Sequence, residues 1–264
     1  MELRDAVVVV TGASSGFGEL TAVRFAKAGA SVVLAARRIE RLEAIAEGIG
    51  SRGGKALPAR CDVTDLAELE ALRDRTAEAF GRCDVLVNNA GIRGGGMFED
   101  VDLDRIEKVI ATNVLAVVRG TKLFLPMMLE QGRGHVVNIA SLAGRFATPG
   151  AAVYGASKHA VVAFSEALYH ELAPKGILVT SVNPAFSPTE GFPMTGMPRY
   201  VLVSPDRVAK TIVDIVRRGR APEVSIPRAI AALQGFRVLT PPLYRWAVDR
   251  ITSRYEPGGV RPED

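Results

Sequence analysis

Short apolar runs alternate with longer amphipathic stretches along almost the whole chain, and few folds accept that pattern. The runs are AVVVV (6–10), SVVLAA (31–36), ALPARC (56–61), DVLVNN (84–89), HVVNIA (135–140), ILVTSV (177–182) and EVSIP (223–227). Most are rich in β-branched residues and few alternate polar with apolar, as strands do when a parallel sheet is covered on both faces. Between them, stretches such as ELTAVRFAKAGA and RRIERLEAIAEGIG carry apolar residues at three- and four-residue spacing. Several end in glycine, the usual C-terminal stop of a helix. Parallel neighbours need a crossover, so the pattern predicts an α/β fold: a doubly wound parallel sheet with helices on both faces. One domain is expected over residues 1–228, followed by a helical C-terminal extension over 229–264.

At 264 residues the chain can bury the core that such a domain needs. The net charge is only +4, and no basic stripe interleaved with aromatics appears, so nucleic acid is not an expected partner. Two cysteines, Cys61 and Cys83, cannot form a disulfide framework, which fits a reducing compartment. The opening MELRDAVVVVTGAS has neither the layout of a signal peptide nor the length of a membrane span. A cytoplasmic protein is expected.

The first run leads into TGASSGFG, with Gly12, Gly16 and Gly18 followed by a helical pattern. Glycines after a buried strand let the backbone approach a pyrophosphate, and the helix N-terminus offers free N–H groups. Ser14, Ser15 and Phe17 belong to the same candidate loop. NAD-selective sites place an acid near the end of the second strand, but here the strand runs into Arg37 and Arg38. Guanidinium groups pair with a 2′-phosphate that a carboxylate would repel, so NADP(H) is the expected cofactor, resting mainly on Arg37. The alternative is a solvated helix start in which Glu40 and Glu43 pair the arginines. Asp62 and Val63 follow the third run, where a short acid could accept from the adenine amine. Asn89, Ala90 and Gly91 end the fourth, where a small turn leaves room for the ribose.

TGASSGFG, then NNAG, Asn113, Ser141 and YGASK in that order resemble the short-chain dehydrogenase/reductase family in its compact one-domain branch. The likeness extends from Val7 to Thr189. It implies a seven-stranded Rossmann sheet and hydride transfer between a nicotinamide and a carbonyl or secondary alcohol. Chemistry supports the same roles. A tyrosine has a pKa near ~10, about three units above the best value for acid–base work at neutral pH, or roughly 4 kcal/mol. A unit charge ~4 Å away at an effective dielectric of about 20 supplies a term of that order. Tyr154 is then the acid–base group, while Lys158, on the same helix face, lowers its pKa and holds the nicotinamide ribose. Ser141 would hydrogen-bond the reacting oxygen. The resemblance makes Asn113 the anchor of a water that links Lys158 to solvent. It also implies cofactor contacts from Pro184 and Thr189. His135, His159 and His170 have no metal-ligand spacing and are read as structural or surface residues; no metal is expected.

Two departures from the family pattern stand out. Asn183-Pro184-Ala185 replaces the family's Asn-Pro-Gly, and alanine does not easily adopt a positive φ. The loop it leads into, 186–200, is rich in Phe, Met and Pro and would make an apolar lid over a lipophilic carbonyl or alcohol. The second departure is the tail, in which Leu243, Trp246, Ala247 and Ile251 could share one helix face with Arg245, Asp249 and Arg254 elsewhere. A helix packed on its own domain or on a second subunit is the favoured reading of the tail, and contact with a membrane surface the alternative. The family resemblance implies a homodimer or homotetramer. A 3-oxoacyl-carrier-protein reductase and a non-catalytic dinucleotide sensor are the competing functions.

Overall fold

A computed structural model describes residues 1–192 and 202–252. Seven parallel strands form one sheet: β1 Val7–Thr11, β2 Ser31–Ala36, β3 Lys55–Arg60, β4 Val85–Asn88, β5 Gly134–Ile139, β6 Ile177–Pro184 and β7 Glu223–Ile226. Their order is β3-β2-β1-β4-β5-β6-β7, with β1 paired to both β2 and β4. Every residue of β1, β2, β4 and β5 is buried, which is why those runs carry so little polarity. The β3 run reads differently because it is the sheet edge, where Lys55 and Arg60 are exposed.

The crossovers are α1 Gly16–Lys27, α2 Ile39–Gly50, α3 Leu66–Phe80, α4 Leu103–Ile110, α5 Ala116–Gln131, α6 Ala152–Leu172 and α7 Pro205–Arg218. Phe25, Leu42, Ile49, Val208 and Ile212 bring α1, α2 and α7 onto one face of the sheet. Leu69, Leu72, Phe124, Met128 and Leu172 bring α3, α5 and α6 onto the other. Local sequence sets the helix ends. The Asp65 carboxylate accepts from the N–H groups of Ala67 and Glu68 to start α3, and left-handed Gly81 ends it. The helical run Leu103–Gln131 is long and apolar enough to cross a membrane, but Val109, Val117, Phe124 and Met128 within it are buried against the domain.

The chain order reverses between β1 and β4, so a crevice opens beyond their C-terminal ends. The glycine loop after β1 and the Asn89–Gly91 turn after β4 both lie at that crevice. Ala185 has no positive φ, since Asp5 alone among the described non-glycine residues does. Its N–H instead extends the β6–β7 pairing by donating to the Ile226 carbonyl at 2.8 Å. Alanine is therefore accommodated at the position where the family has glycine.

The extension forms α8 Ala231–Leu239 and α9 Pro241–Thr252. It is tied to the domain: Gln234 Nε2 donates to Glu223 Oε1 at 3.2 Å, and Arg237 donates to the Arg145 carbonyl. Leu243 and Trp246 are 49% and 58% exposed. The side chains of Ala247, Asp249 and Ile251, and Arg254 as a whole, lie outside the described residues, as does 193–200 of the expected lid.

Candidate active site

The glycine loop is held in place by Thr11, at the head of its own motif, and by the turn that begins at Asn89. The Thr11 hydroxyl accepts from the N–H groups of Asn89 and Ala90 at 3.0 and 3.1 Å. Asn89 Nδ2 returns bonds to the carbonyls of Thr11 and Gly12 at 2.9 and 3.2 Å. Gly12 and Gly16 have φ of 65° and 58°, conformations that glycine adopts at little cost. At Gly18 a Cβ would overlap the Gly12 carbonyl oxygen and stand 2.6 Å from Asn89 Nδ2. The loop, the start of α1 and the turn after β4 are thus packed to backbone contact. Ser15, the residue before α1, makes no side-chain cap bond, which leaves the first-turn N–H groups for an anion. This cradle fits the pyrophosphate of a dinucleotide.

At the adenosine end the two arginines diverge. Arg37 Nη1 lies 4.0 Å from Asp62 Oδ2. Arg38 turns inward and donates to Ser14 Oγ and Ser15 Oγ at 3.0 and 2.9 Å. Arg38 and Arg41 also both pair with Glu190. Of the two arginines, Arg38 is the one bonded to the glycine loop. Burial pushes the Asp62 carboxyl up, but two bonds from Thr64 and the Arg37 charge outweigh it and hold the group below its usual range. Thr64 uses Oδ1, so Oδ2 keeps accepting capacity. Val63 is buried beside Asp62, and Phe17 packs against the core from α1.

Tyr154 and Lys158 come from the first turns of α6, as their spacing predicts. The turn after β5, Leu142–Gly144, presses on that helix, and a Cβ at Gly144 would stand 2.7 Å from the Lys158 carbonyl oxygen. Ser141 is thereby placed to hydrogen-bond the Tyr154 hydroxyl. Its Oγ also accepts from Ala143 N–H at 3.1 Å. Lys158 Nζ donates to the Ile139 carbonyl at 2.8 Å and lies 5.8 Å from the Tyr154 ring centroid. The ammonium is thus anchored on β5.

Burial dominates the electrostatic balance. Burial raises the Tyr154 pKa, while the Ser141 bond and the Arg93 charge pull it back. Burial pushes the Lys158 ammonium down to about 8. Here the phenol is held protonated, which is the form that donates. Arg93, not singled out from sequence, is a second cation facing Tyr154, and its guanidinium lies 6.0 Å from the Phe192 ring centroid.

Asn113 sits in a π-helical turn, Ala111–Leu115, between α4 and α5. Such a turn aims a side chain that a regular helix would direct elsewhere. Asn113 Oδ1 accepts from Ile92 N–H at 2.8 Å, and Nδ2 donates to the Ile92 carbonyl and Ser157 Oγ at 3.0 and 3.1 Å. A Cβ at Gly91 would lie 3.3 Å from Asn113 Oδ1 and 3.5 Å from Lys158 Nζ. Asn113, Gly91 and Lys158 are thus brought together. Thr189 follows Pro184 on the loop after β6 and reaches back to the cradle, where a Cβ at Gly16 would meet its Cβ at 3.2 Å. On the same segment, the Phe192 ring lies 5.9 Å from that of Tyr154.

Of the histidines, His135 is buried, kept neutral by that burial with a pKa of about 3, and bonded to Thr180 Oγ1 at 2.8 Å. His159 bonds the Gly155 carbonyl at 2.9 Å, and His170 is exposed beside Tyr169. Cys61 and Cys83 are free and buried, and burial pushes the Cys61 thiol up to about 12.

Comparison with known proteins adds four likenesses. The family model described as short chain dehydrogenase matches residues 6–195. An uncharacterised oxidoreductase of Listeria innocua is 37% identical over 224 residues, covering 80% of this chain and 90% of the relative. Among solved structures, actinorhodin polyketide ketoreductase with NADPH superposes with a TM-score of 0.78 at 34% identity, covering 84% of this chain and 95% of that one. A short chain dehydrogenase/reductase from Burkholderia phymatum in complex with NAD gives a TM-score of 0.81 at 29% identity, covering 100% and 99% of the two chains.

Proposed function

This chain belongs to the short-chain dehydrogenase/reductase family, and we propose that within it the protein is an NADP(H)-dependent reductase of lipophilic carbonyl compounds. The observation that carries the reading is the Ser141–Tyr154–Lys158 group beside the glycine cradle, with Lys158 buried and Tyr154 half-buried and protonated. When bound, the nicotinamide supplies or accepts the hydride. The chain's own residues handle the proton and the oxygen. Ser141 orients the substrate oxygen, and Tyr154 gives its phenolic proton to that oxygen as negative charge develops there. Lys158 stabilises the phenolate left behind and holds the ribose, and Asn113 fixes the 91–92 turn against α6 while anchoring the water path that reprotonates the pair. Ser14, Ser15, Gly16 and Phe17 line the cradle, and Thr189 and Pro184 close its nicotinamide side.

NADP(H) preference is supported by Arg37, Arg38 and Arg41 clustered at the adenosine end, with no acid at the end of β2. Because the two nucleotide complexes above carry different cofactors, family membership leaves that choice to these side chains. A lipophilic substrate is supported by Phe192, whose ring lies 5.9 Å from that of Tyr154. Exposed apolar positions Leu103, Leu115, Val118 and Leu129 along the helical run Leu103–Gln131 suit a homodimer or homotetramer. The free thiols suit a reducing, cytoplasmic setting. A non-catalytic sensor is not favoured, since nothing would require the four reacting positions to be kept together.

The test is nucleotide oxidation against carbonyls graded from small polar aldehydes to bulky lipophilic ketones, run with NADPH and NADH. The reading predicts turnover favouring NADPH and the lipophilic end. In Arg38→Ala and Arg37→Ala the NADPH/NADH ratio should fall, by roughly tenfold for Arg38 if one charge-assisted phosphate contact is lost. An unchanged ratio in both variants would remove the cofactor assignment, and faster turnover of small polar carbonyls would remove the substrate class.

A further inference from the structure

Glu190 stands 152 residues from Arg38 and 149 from Arg41, yet its carboxylate takes both. Oε1 accepts from Arg38 Nη1, and Oε2 accepts from Arg41 Nη1 at 2.6 Å. Arg38 simultaneously donates to the hydroxyls of Ser14 and Ser15 on the glycine loop. One carboxylate with a guanidinium on each oxygen, at the edge of a serine-lined cradle, reproduces what a phosphate monoester would present there. The carboxylate is fully exposed, and the two arginine bonds hold it below its usual range, so it is ionised at neutral pH. Its segment is held in place at other points. Thr189 lies against Gly16, Thr189 and Phe192 exchange backbone bonds at 3.2 and 3.0 Å, and the Ser187 hydroxyl donates to the Val203 carbonyl at 2.7 Å.

We propose that Glu190 is an internal competitor for the 2′-phosphate subsite: its carboxylate holds Arg38 and Arg41, and a 2′-phosphate must displace it to bind. The proposal rests on the NADP(H) reading above and deepens it. The physical reason is that the arginines cannot serve both anions well. A carboxylate left in place beside an incoming phosphate dianion repels it, and one that moves away gives up two ion pairs. Either way Glu190 lowers the affinity for the phosphorylated ribose, while an unphosphorylated adenosine, which does not call on Arg38 or Arg41 as anion ligands, is unaffected. The residue would thus keep NADP(H) from binding too tightly to leave.

The test uses adenosine 2′,5′-bisphosphate and adenosine 5′-monophosphate as probes, titrated calorimetrically at fixed salt into the full chain and into Glu190→Gln and Glu190→Ala. Two exposed ion pairs of this kind lead us to expect bisphosphate affinity to rise about three- to tenfold in both variants, with monophosphate affinity unchanged. If the wild type prefers the bisphosphate but neither variant widens that preference, the competitor role is overturned and the NADP(H) reading survives. If the wild type shows no preference but the variants acquire one, the competitor role stands and native NADP(H) selectivity falls. No preference in any of the three overturns both. Weaker monophosphate binding in the variants would instead make Glu190 a ligand of the adenosine itself and sink the proposal.

Discussion

At the scale of single residues, the site is governed by what burial does to charge. Lys158 is 4% exposed, and its pKa falls from the usual 10.5 to about 8. Between those values the unfolded chain binds the proton and the folded chain does not, so stability rises with pH across that window. Below it the fold carries the full cost of a buried ammonium, about 3 kcal/mol at this shift. Lys158→Met should therefore gain stability relative to wild type at pH 7.5 and lose that advantage by pH 10.5. Cys61 and Cys83 titrate in the opposite sense, but equally in both chains, so they drop out of the difference in urea midpoints. A difference that stays constant with pH would show that Lys158 does not titrate in this range. That the protein tolerates the cost is what a proton-relaying role for the residue would require.

Helices and loops explain which parts could be read in advance. The strands were legible because two-sided burial leaves a β-branched run, and the observed ends of β1 to β7 fall within about two residues of the runs. The glycine loop, Tyr154 and Lys158 were legible because their roles depend on local spacing. The π-turn around Asn113 was not, since it arises from bonds to Ile92 and Ser157 made across the fold. Arg93 and Glu190 were missed for the same reason: each acts on a partner distant in sequence, and neither has a distinctive neighbour. The Lys158 bond to the Ile139 carbonyl was not legible, because helical spacing fixes a shared face but not which carbonyl takes the ammonium. Close packing of the cradle gives the prediction for this scale. Gly18→Ala must push its methyl into the Gly12 carbonyl, so overpacking should cost about 1–3 kcal/mol. Thermal unfolding should show a Tm lower by about 2–12 °C. Dinucleotide affinity should fall with it; a variant matching wild type in both would mean that the loop is looser than its packing indicates.

For the whole molecule, the extension is part of the domain's support for the site. Glu223, on the edge strand β7, gathers Arg145, Asn183 and Gln234. Arg237 joins α8 to the Arg145 carbonyl, four residues beyond Ser141, and to His159, next to Lys158. The tail thus braces the turn and helix that present the reacting groups. Arg237→Ala should lower stability by about 2 kcal/mol, as loss of a charged hydrogen bond does. The corresponding drop in Tm is about 4–8 °C for a chain of this size, and kcat should fall as the Ser141 turn loosens. An unchanged Tm would leave the extension an appendage.

The proposed function turns on Tyr154 delivering the proton in a hydride-transfer reaction. The most direct measurement is NADPH consumption over the carbonyl panel by wild type and Tyr154→Phe, with NADPH binding determined for each. Loss of a general acid predicts a fall in turnover of about 10²–10⁴-fold, with binding nearly unchanged. Turnover undiminished in Tyr154→Phe, or nucleotide binding without turnover of any carbonyl by the wild type, would contradict it.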